Sequence, residues 1–91
     1  MKLVQRVKVK NKLGLHTRPA AAIVQMLQTC ASDVSFTYRK ETVNAKSILS
    51  ILMLAAGKNS NITITVEGDD AGSTMEQLVT AFDSHFGEKA S

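Results

Sequence analysis

The sequence lacks tryptophan, has one cysteine and one proline, and contains few aromatic side chains, which make up 4% of the 91 residues. A single cysteine excludes a disulfide within the chain. We expect Cys30 to be a small, partly or fully buried side chain at or just beyond the end of a helix, because a free cysteine more often behaves as a small hydrophobe than as a nucleophile. With so few rings to stack on bases, no nucleic-acid partner is expected.

Long apolar runs are also missing. No stretch approaches the ~20 residues that a helix needs to cross a bilayer, and the first six residues lack the apolar segment of a secretion signal. We therefore expect no membrane insertion and a cytoplasmic location. The net charge of +3 is mildly basic, and part of it comes from Lys8, Lys10 and Lys12. These lysines form either a solvated strand face or a basic surface that meets acidic partners.

Alternating apolar and polar residues predict three strands, and a turn predicts a fourth. A chain of 91 residues is long enough for one domain but not for two. The alternation covers residues 3–9, 34–38 and 62–66, which have the period of half-buried strands. A turn over residues 39–41 leads from the second of these into a short strand near residues 42–44.

Apolar residues at helical spacing predict a helix over 20–31 and a last helix over 75–86. Pro19 fits the first turn of the former, where its missing N–H leaves no bond unmade. The last helix begins either at Asp70 or three residues later, at a capping box over 73–76. Residues 87–91 are expected to form a frayed tail.

A short apolar segment over 48–54 predicts the second helix, with Ser47 as its N-cap and Gly57 as its stop. The segment has too many apolar residues for one narrow helical stripe. Either all of them are buried, or Ile51, Leu54 and Ala55 face the core while Leu49, Leu52 and Met53 stay exposed as a docking patch.

The resulting order of elements is βαββαβα. Such an order of strands and helices favours an α+β fold in which an open, four-stranded antiparallel sheet is covered on one face by helices.

One histidine stands out because of its position. His16 lies where a loop becomes a helix, so its ring can face solvent beside the unpaired N–H groups and positive end of that helix, which favour anions. Arg18 adds a planar guanidinium suited to phosphate oxygens. A neutral His16 imidazole could accept a phosphoryl group here, and the helix end disfavours the imidazolium form. The alternative is an ordinary capping or surface histidine. A metal site is not expected, since His85 is the only other histidine and no cysteine or carboxylate cluster surrounds His16.

The segment Gly14-Leu15-His16-Thr17-Arg18-Pro19-Ala20 resembles the active-site signature of the HPr family, the histidine-containing phosphocarriers of the bacterial phosphotransferase system. Asn44-Ala45-Lys46-Ser47-Ile48 is similar to the second signature of the family, around a regulatory serine. The order and lengths of the predicted elements match that family over essentially the whole chain.

The resemblance implies an open-faced β-sandwich with three helices and a single domain over residues 1–91. It implies that enzyme I, charged from phosphoenolpyruvate, phosphorylates His16 on Nδ1, and that a IIA-type protein then takes the group. Arg18 would steady the phosphoryl group without being the nucleophile. The chain would be a carrier and not an enzyme, with no cofactor and no metal. We expect a monomer, the simplest state for a protein that meets several partners in turn.

The resemblance also implies regulation and docking. Ser47 would be phosphorylated by an ATP-dependent kinase and restored by a phosphorylase. The region of the family that contacts partners corresponds here to six residues, Thr17, Ala21, Ile48, Leu49, Leu52 and Met53. Whether the pathway is sugar uptake or the nitrogen-related branch stays open, since the segments 11–14 and 52–54 also resemble the latter.

Two other classes of function remain as alternatives. A small acylphosphatase-like hydrolase would use Arg18 to cradle an anion and Asn44 to orient water, which leaves His16 idle. A binding module for RNA or a small ligand would use the basic first strand, and its affinity for nucleic acid would fall steeply with salt.

Overall fold

A computed structural model describes residues 1–88 of the chain. The four strands form one sheet in the order β1-β4-β2-β3, and every neighbouring pair is antiparallel. This confirms the α+β architecture that the sequence predicts. The strands are β1 (Lys2–Lys8), β2 (Asp33–Tyr38), β3 (Glu41–Asn44) and β4 (Asn61–Glu67), and the helices are α1 (Thr17–Leu27), α2 (Ile48–Met53) and α3 (Ala71–Asp83), followed by a short 3₁₀ turn (His85–Gly87).

The two faces of the sheet differ in polarity because side chains alternate along each strand. On the central strand β4, Ile62, Ile64 and Val66 are fully buried beneath the helices, whereas Thr63 and Thr65 lie on the open face. The buried face of the sheet packs against the apolar stripes of all three helices. The large, fully buried members of this core include Phe36, Ile62 and Ile64 from the sheet and Ile23, Leu27, Ile51, Leu78 and Phe82 from the helices.

The carboxylate of Asp70 links the segment that follows α1 to the start of α3. Helix α1 ends at Leu27, so the predicted extension to Ala31 is wrong. The Leu27 carbonyl accepts a hydrogen bond from the Cys30 N–H at 3.3 Å, and the Ala31 N–H donates to Asp70 Oδ2 at 2.8 Å instead of to that carbonyl. Asp70 also accepts a hydrogen bond from the Ser32 hydroxyl, and it is the residue that precedes α3. Of the two predicted starts for α3, the earlier one is therefore confirmed.

Helix α2 ends earlier than the sequence predicts. It stops at Met53, and Ala55 adopts the left-handed conformation, with φ of 52°. The left-handed residue that ends the helix is therefore Ala55, two positions before the predicted stop at Gly57. Because the chain turns outward at this point, Ala55 is exposed, and its predicted place in the core is also wrong.

The carboxyl-terminal prediction needs the largest correction. Helix α3 ends at Asp83, so Phe86 lies beyond it, in the 3₁₀ turn. Gly87 and Glu88 are held by hydrogen bonds and do not form the predicted frayed tail. The rest of that prediction, residues 89–91, falls outside the described residues. Among residues 1–88 no helix has the length and hydrophobicity that a bilayer crossing requires.

Candidate functional site

His16 is the N-cap residue of α1 and so lies at a loop-to-helix transition, as the sequence predicts. Its backbone is extended (φ −79°, ψ −167°), and its carbonyl accepts the first helical hydrogen bond, from the Ala20 N–H at 3.1 Å. The ring makes no capping bond to the helix. The side chain is 31% exposed, so one side of the imidazole is open to a reacting partner.

The loop before His16 is held from both sides. Leu15 is buried, and its N–H donates to the Ala56 carbonyl at 2.9 Å, which ties the loop to the segment that follows α2. The Gly14 N–H donates to the Asn11 carbonyl at 3.0 Å, and Gly14 has a positive φ of 70°. These bonds fix the direction in which the chain enters α1 and therefore the position of the His16 ring.

The first turn of α1 is suited to an anion. Thr17 and Arg18 are exposed, and the N–H groups at these first two helical positions have no partner within the helix. Pro19 is buried and contributes no N–H. The helix dipole places partial positive charge at the same end. This end of α1 thus offers two N–H donors and the charged, exposed Arg18 side chain to an anion.

The chain returns to His16 at its carboxyl end. We call the segment His85–Glu88 the C-terminal hook. His85, Phe86 and Gly87 all have positive φ (60°, 53° and 80°), and this run of left-handed residues reverses the chain after α3. The Phe86 ring packs edge-on against Phe82, with 4.8 Å between centroids. This contact anchors the hook on the core.

Glu88 brings a carboxylate to the imidazole. His16 Nε2 lies 3.2 Å from Glu88 Oε2 and 3.3 Å from Glu88 Oε1. The same carboxylate accepts a hydrogen bond from the Asn11 amide, which also donates to the His85 carbonyl at 2.8 Å. The Asn11 hydrogen bond is the main cause that lowers the pKa of Glu88, against partial burial, and His16 and Arg18 act in the same direction.

Asn11 and Glu88 are the residues that the sequence analysis missed. They are 77 positions apart, and only the folded chain brings them together. A weak signal exists: Phe86 is a large apolar residue followed at once by a glycine, which is typical of a packed turn and not of a frayed end.

Ser47 is the N-cap of α2, as predicted. Its hydroxyl oxygen accepts a hydrogen bond from the Ser50 N–H at 3.3 Å, and its side chain is half-buried. The N–H of Ser47 donates to the Asn44 carbonyl at 3.2 Å, which closes the turn between β3 and α2.

The apolar residues of α2 divide between core and surface, so the all-core alternative is wrong. Ile51 and Leu54 are buried, whereas Leu49 and Met53 are 66% and 70% exposed. Ile48 is 40% exposed, and Leu52 is half-buried against the core. Together with the exposed Thr17 and Ala21 of α1, these residues make up the predicted docking set, in which Leu52 is the least accessible of the α2 members.

The hydrolase alternative is not supported by the placement of Asn44. Asn44 pairs with Ser35 in the sheet and faces the open side, while Arg18 lies in the first turn of a helix that covers the other side. The Asn44 side chain instead accepts a hydrogen bond from the Lys46 N–H at 2.9 Å. Within residues 1–88, His, Cys, Asp and Glu side chains form no group of three that could hold a metal ion.

Comparison with known proteins points to one family. A family model described as the PTS HPr component phosphorylation site matches residues 3–84. The phosphocarrier protein HPr of Chlamydia muridarum is 42% identical over 80 residues, which cover 88% of this chain and 77% of the relative. The HPr of Xylella fastidiosa strain Temecula1 is 35% identical over 94% of this chain and 97% of its own. The crystal structure of HPr from Thermoanaerobacter tengcongensis superposes with a TM-score of 0.91 at 36% identity, covering 96% of this chain and 98% of its own.

Proposed function

The chain belongs to the HPr family, the phosphocarriers of the phosphotransferase system, and from this premise we propose that His16 is the residue that carries the phosphoryl group. The donor is enzyme I charged from phosphoenolpyruvate, and the acceptor is a IIA-type protein. The observation that carries the proposal is the partly exposed His16 ring at the start of α1, with Arg18 two positions further on.

The chemistry follows from these surroundings. The neutral imidazole attacks phosphorus through Nδ1, and the arriving oxygens lie near the N–H donors of the first turn and the Arg18 guanidinium. Arg18 steadies the phosphoryl group and is not the nucleophile. The protein acts as a carrier and not as an enzyme, because the partner supplies the remaining groups around the transition state.

The docking set serves both partners in this proposal. An exposed apolar patch beside the reacting group supplies contact area, since large exposed apolar side chains mark interaction sites. Leu49 and Met53, with 66% and 70% of their surface exposed, are its main apolar contacts. Thr17, Ala21, Ile48 and Leu52 complete the surface. Action as a monomer stays a prediction.

Ser47 is proposed as a regulatory site for an ATP-dependent serine kinase and the matching phosphorylase. A phosphate there adds about −1.5 to −2 charge, and the start of α2 tolerates that charge. Its effect is therefore on the partners that contact the neighbouring docking set. If Ser47 is phosphorylated in full and transfer from enzyme I to His16 keeps its rate, the regulatory proposal is wrong.

The test of the main proposal is direct. The protein is incubated with phosphoenolpyruvate and enzyme I, and an acid-labile, base-stable phosphoryl adduct is sought by mass spectrometry. His16→Ala should abolish the adduct, whereas His85→Ala, which removes the only other histidine, should retain it. Arg18→Ala should slow transfer or shorten the lifetime of the adduct without eliminating acceptance. An adduct that survives His16→Ala would place the carrier residue elsewhere.

A further inference from the structure

We propose that Glu88 is a positioning residue for phosphoryl transfer: its carboxylate holds the hydrogen on His16 Nε2 and so leaves the lone pair on Nδ1. The proposal rests on His16 being the phosphoryl acceptor. It adds a residue from the far end of the chain to the site and assigns the C-terminal hook a role in the reaction.

The hydrogen bond between His16 and Glu88 can run in only one direction. Both carboxylate oxygens of Glu88 lie within 3.3 Å of His16 Nε2, and an ionised carboxylate can only accept hydrogen bonds. The ring must therefore donate from Nε2. In a neutral imidazole one nitrogen carries the hydrogen and the other the lone pair, so this contact selects the tautomer whose Nδ1 can attack phosphorus.

Asn11 holds the Glu88 carboxylate in place. Asn11 is 2% exposed, and its amide nitrogen donates both to Glu88 Oε1 and to the His85 carbonyl. Because both partners are oxygens, Asn11 must present its NH₂ group to the hook. One buried amide thus orients the Glu88 side chain and holds the backbone that carries it. The Asn11 amide is the main cause of the lowered pKa of Glu88, which keeps the carboxylate ionised.

Positive charge develops on the imidazole during transfer. As the Nδ1 lone pair bonds to phosphorus, the bond from phosphorus to the donor breaks and its electron pair stays with the donor. The imidazole keeps its Nε2 hydrogen and gains a positive charge. A carboxylate against Nε2–H stabilises that charge, as the aspartate carboxylate does for the histidine of a catalytic triad. Arg18 stabilises the negative charge on the phosphoryl oxygens, whereas Glu88 stabilises the positive charge on the imidazole.

The tautomer is measured first, without any phosphoryl donor. Nitrogen-15 shifts of the His16 ring are recorded for the wild type, Glu88→Ala, Glu88→Gln and the control Glu76→Ala, which removes an exposed carboxylate on α3. We expect the wild type and Glu76→Ala to hold the Nε2–H form in excess of a free histidine peptide. Glu88→Ala should fall to the peptide ratio. Glu88→Gln should keep the excess, because its amide oxygen still accepts. Ring shifts that do not change in Glu88→Ala would overturn the proposal.

Transfer kinetics separate this proposal from the one on which it rests. With phosphoenolpyruvate and enzyme I, Glu88→Ala should lower the initial rate about tenfold, the loss expected for one charge-assisted hydrogen bond. Glu88→Gln should also be slower than wild type, because it keeps the tautomer but not the charge, while Glu76→Ala should match the wild type. An unchanged or faster Glu88→Ala would contradict the positioning role. If wild-type His16 accepts no phosphoryl group, the proposed function fails, while the ring shifts still decide whether Glu88 sets the tautomer.

Discussion

Gly14 packs directly against Ala56 and Gly57, so that a Cβ atom added to Gly14 would lie 2.6 Å from the Gly57 Cα and closer still to the Ala56 carbonyl oxygen. Gly14 also has a positive φ of 70°. Gly14→Ala should therefore lower the free energy of unfolding by about 2–4 kcal/mol, from the left-handed backbone and from overpacking. Urea unfolding measures this loss. The rate of phosphoryl acceptance should fall as well, because Gly14 positions the chain before His16.

Gly72 is the matched control for this substitution. It lies in the first turn of α3 with open space where a Cβ would stand. Gly72→Ala should leave stability unchanged or raise it by up to about 1 kcal/mol, since alanine is the better helix former. Equal effects of the two substitutions would show that the contact of Gly14 with Ala56 has no part in stability.

Asp70 predicts a pH dependence of stability. Hydrogen bonds from Ser32 and from the Ala31 N–H lower its pKa in the folded protein. A carboxyl with a lowered folded pKa stabilises the fold above its unfolded pKa of about 3.9, and this stabilisation is lost as the pH falls through the folded value. Asp70→Asn should therefore be less stable than the wild type at neutral pH, and the difference should shrink below about pH 4.

The neighbouring Asp69 supplies the control. It is exposed, and Asp69→Asn removes the same charge without removing a partner of Ser32. Thermal unfolding between neutral and acidic pH should show a pH-dependent gap for Asp70→Asn alone. A gap of constant size for Asp70→Asn would mean that the carboxylate does not tie β2 to α3 electrostatically.

The sheet was predictable because burial on one face imposes a period of two. Ile62, Ile64 and Val66 alternate in the sequence and are all fully buried in the structure. The helix ends were less predictable, because distant groups decide them. Ala31 has helical spacing from Leu27, yet Asp70, 39 positions away, takes its N–H. No local pattern carries that information.

In the candidate site, too, the residues of one local segment were predictable, whereas the contacts between distant residues were not. His16 and Arg18 stand in one short segment whose loop-to-helix transition the sequence indicates, and the structure places both at the start of α1. Phe86 also has helical spacing from Phe82, so the local pattern predicts a helix followed by a tail where the structure has the hook. The structure instead holds the hook through the His85 carbonyl, which accepts a hydrogen bond from the Asn11 amide, 74 positions away. Contacts at that separation lie beyond any pattern in the sequence.

Ser47→Ala tests the structural role of Ser47 apart from regulation. Loss of the N-cap should lower the free energy of unfolding by about 0.5–1 kcal/mol, at the low end because the bond from the Ser50 N–H is long, at 3.3 Å. Chemical denaturation checks the value. Phosphoryl acceptance by His16 should keep its rate, since an alanine at position 47 adds no charge beside the docking set. A large loss of transfer in Ser47→Ala would show that the hydroxyl itself serves the partners.

Leu49→Ala tests the docking set through a residue that the fold does not need. Leu49 is 66% exposed, so its truncation should change stability by no more than about 0.5 kcal/mol. The KM for this protein in the enzyme I reaction should rise about fivefold, the effect of losing one apolar interface contact. Val4→Ala is the matched control, because Val4 is 60% exposed on the opposite, open face of the sheet. Ile51→Ala, which truncates a fully buried neighbour, should instead cost about 2–5 kcal/mol of stability. Equal KM values for Leu49→Ala and Val4→Ala would exclude α2 from the contact with enzyme I.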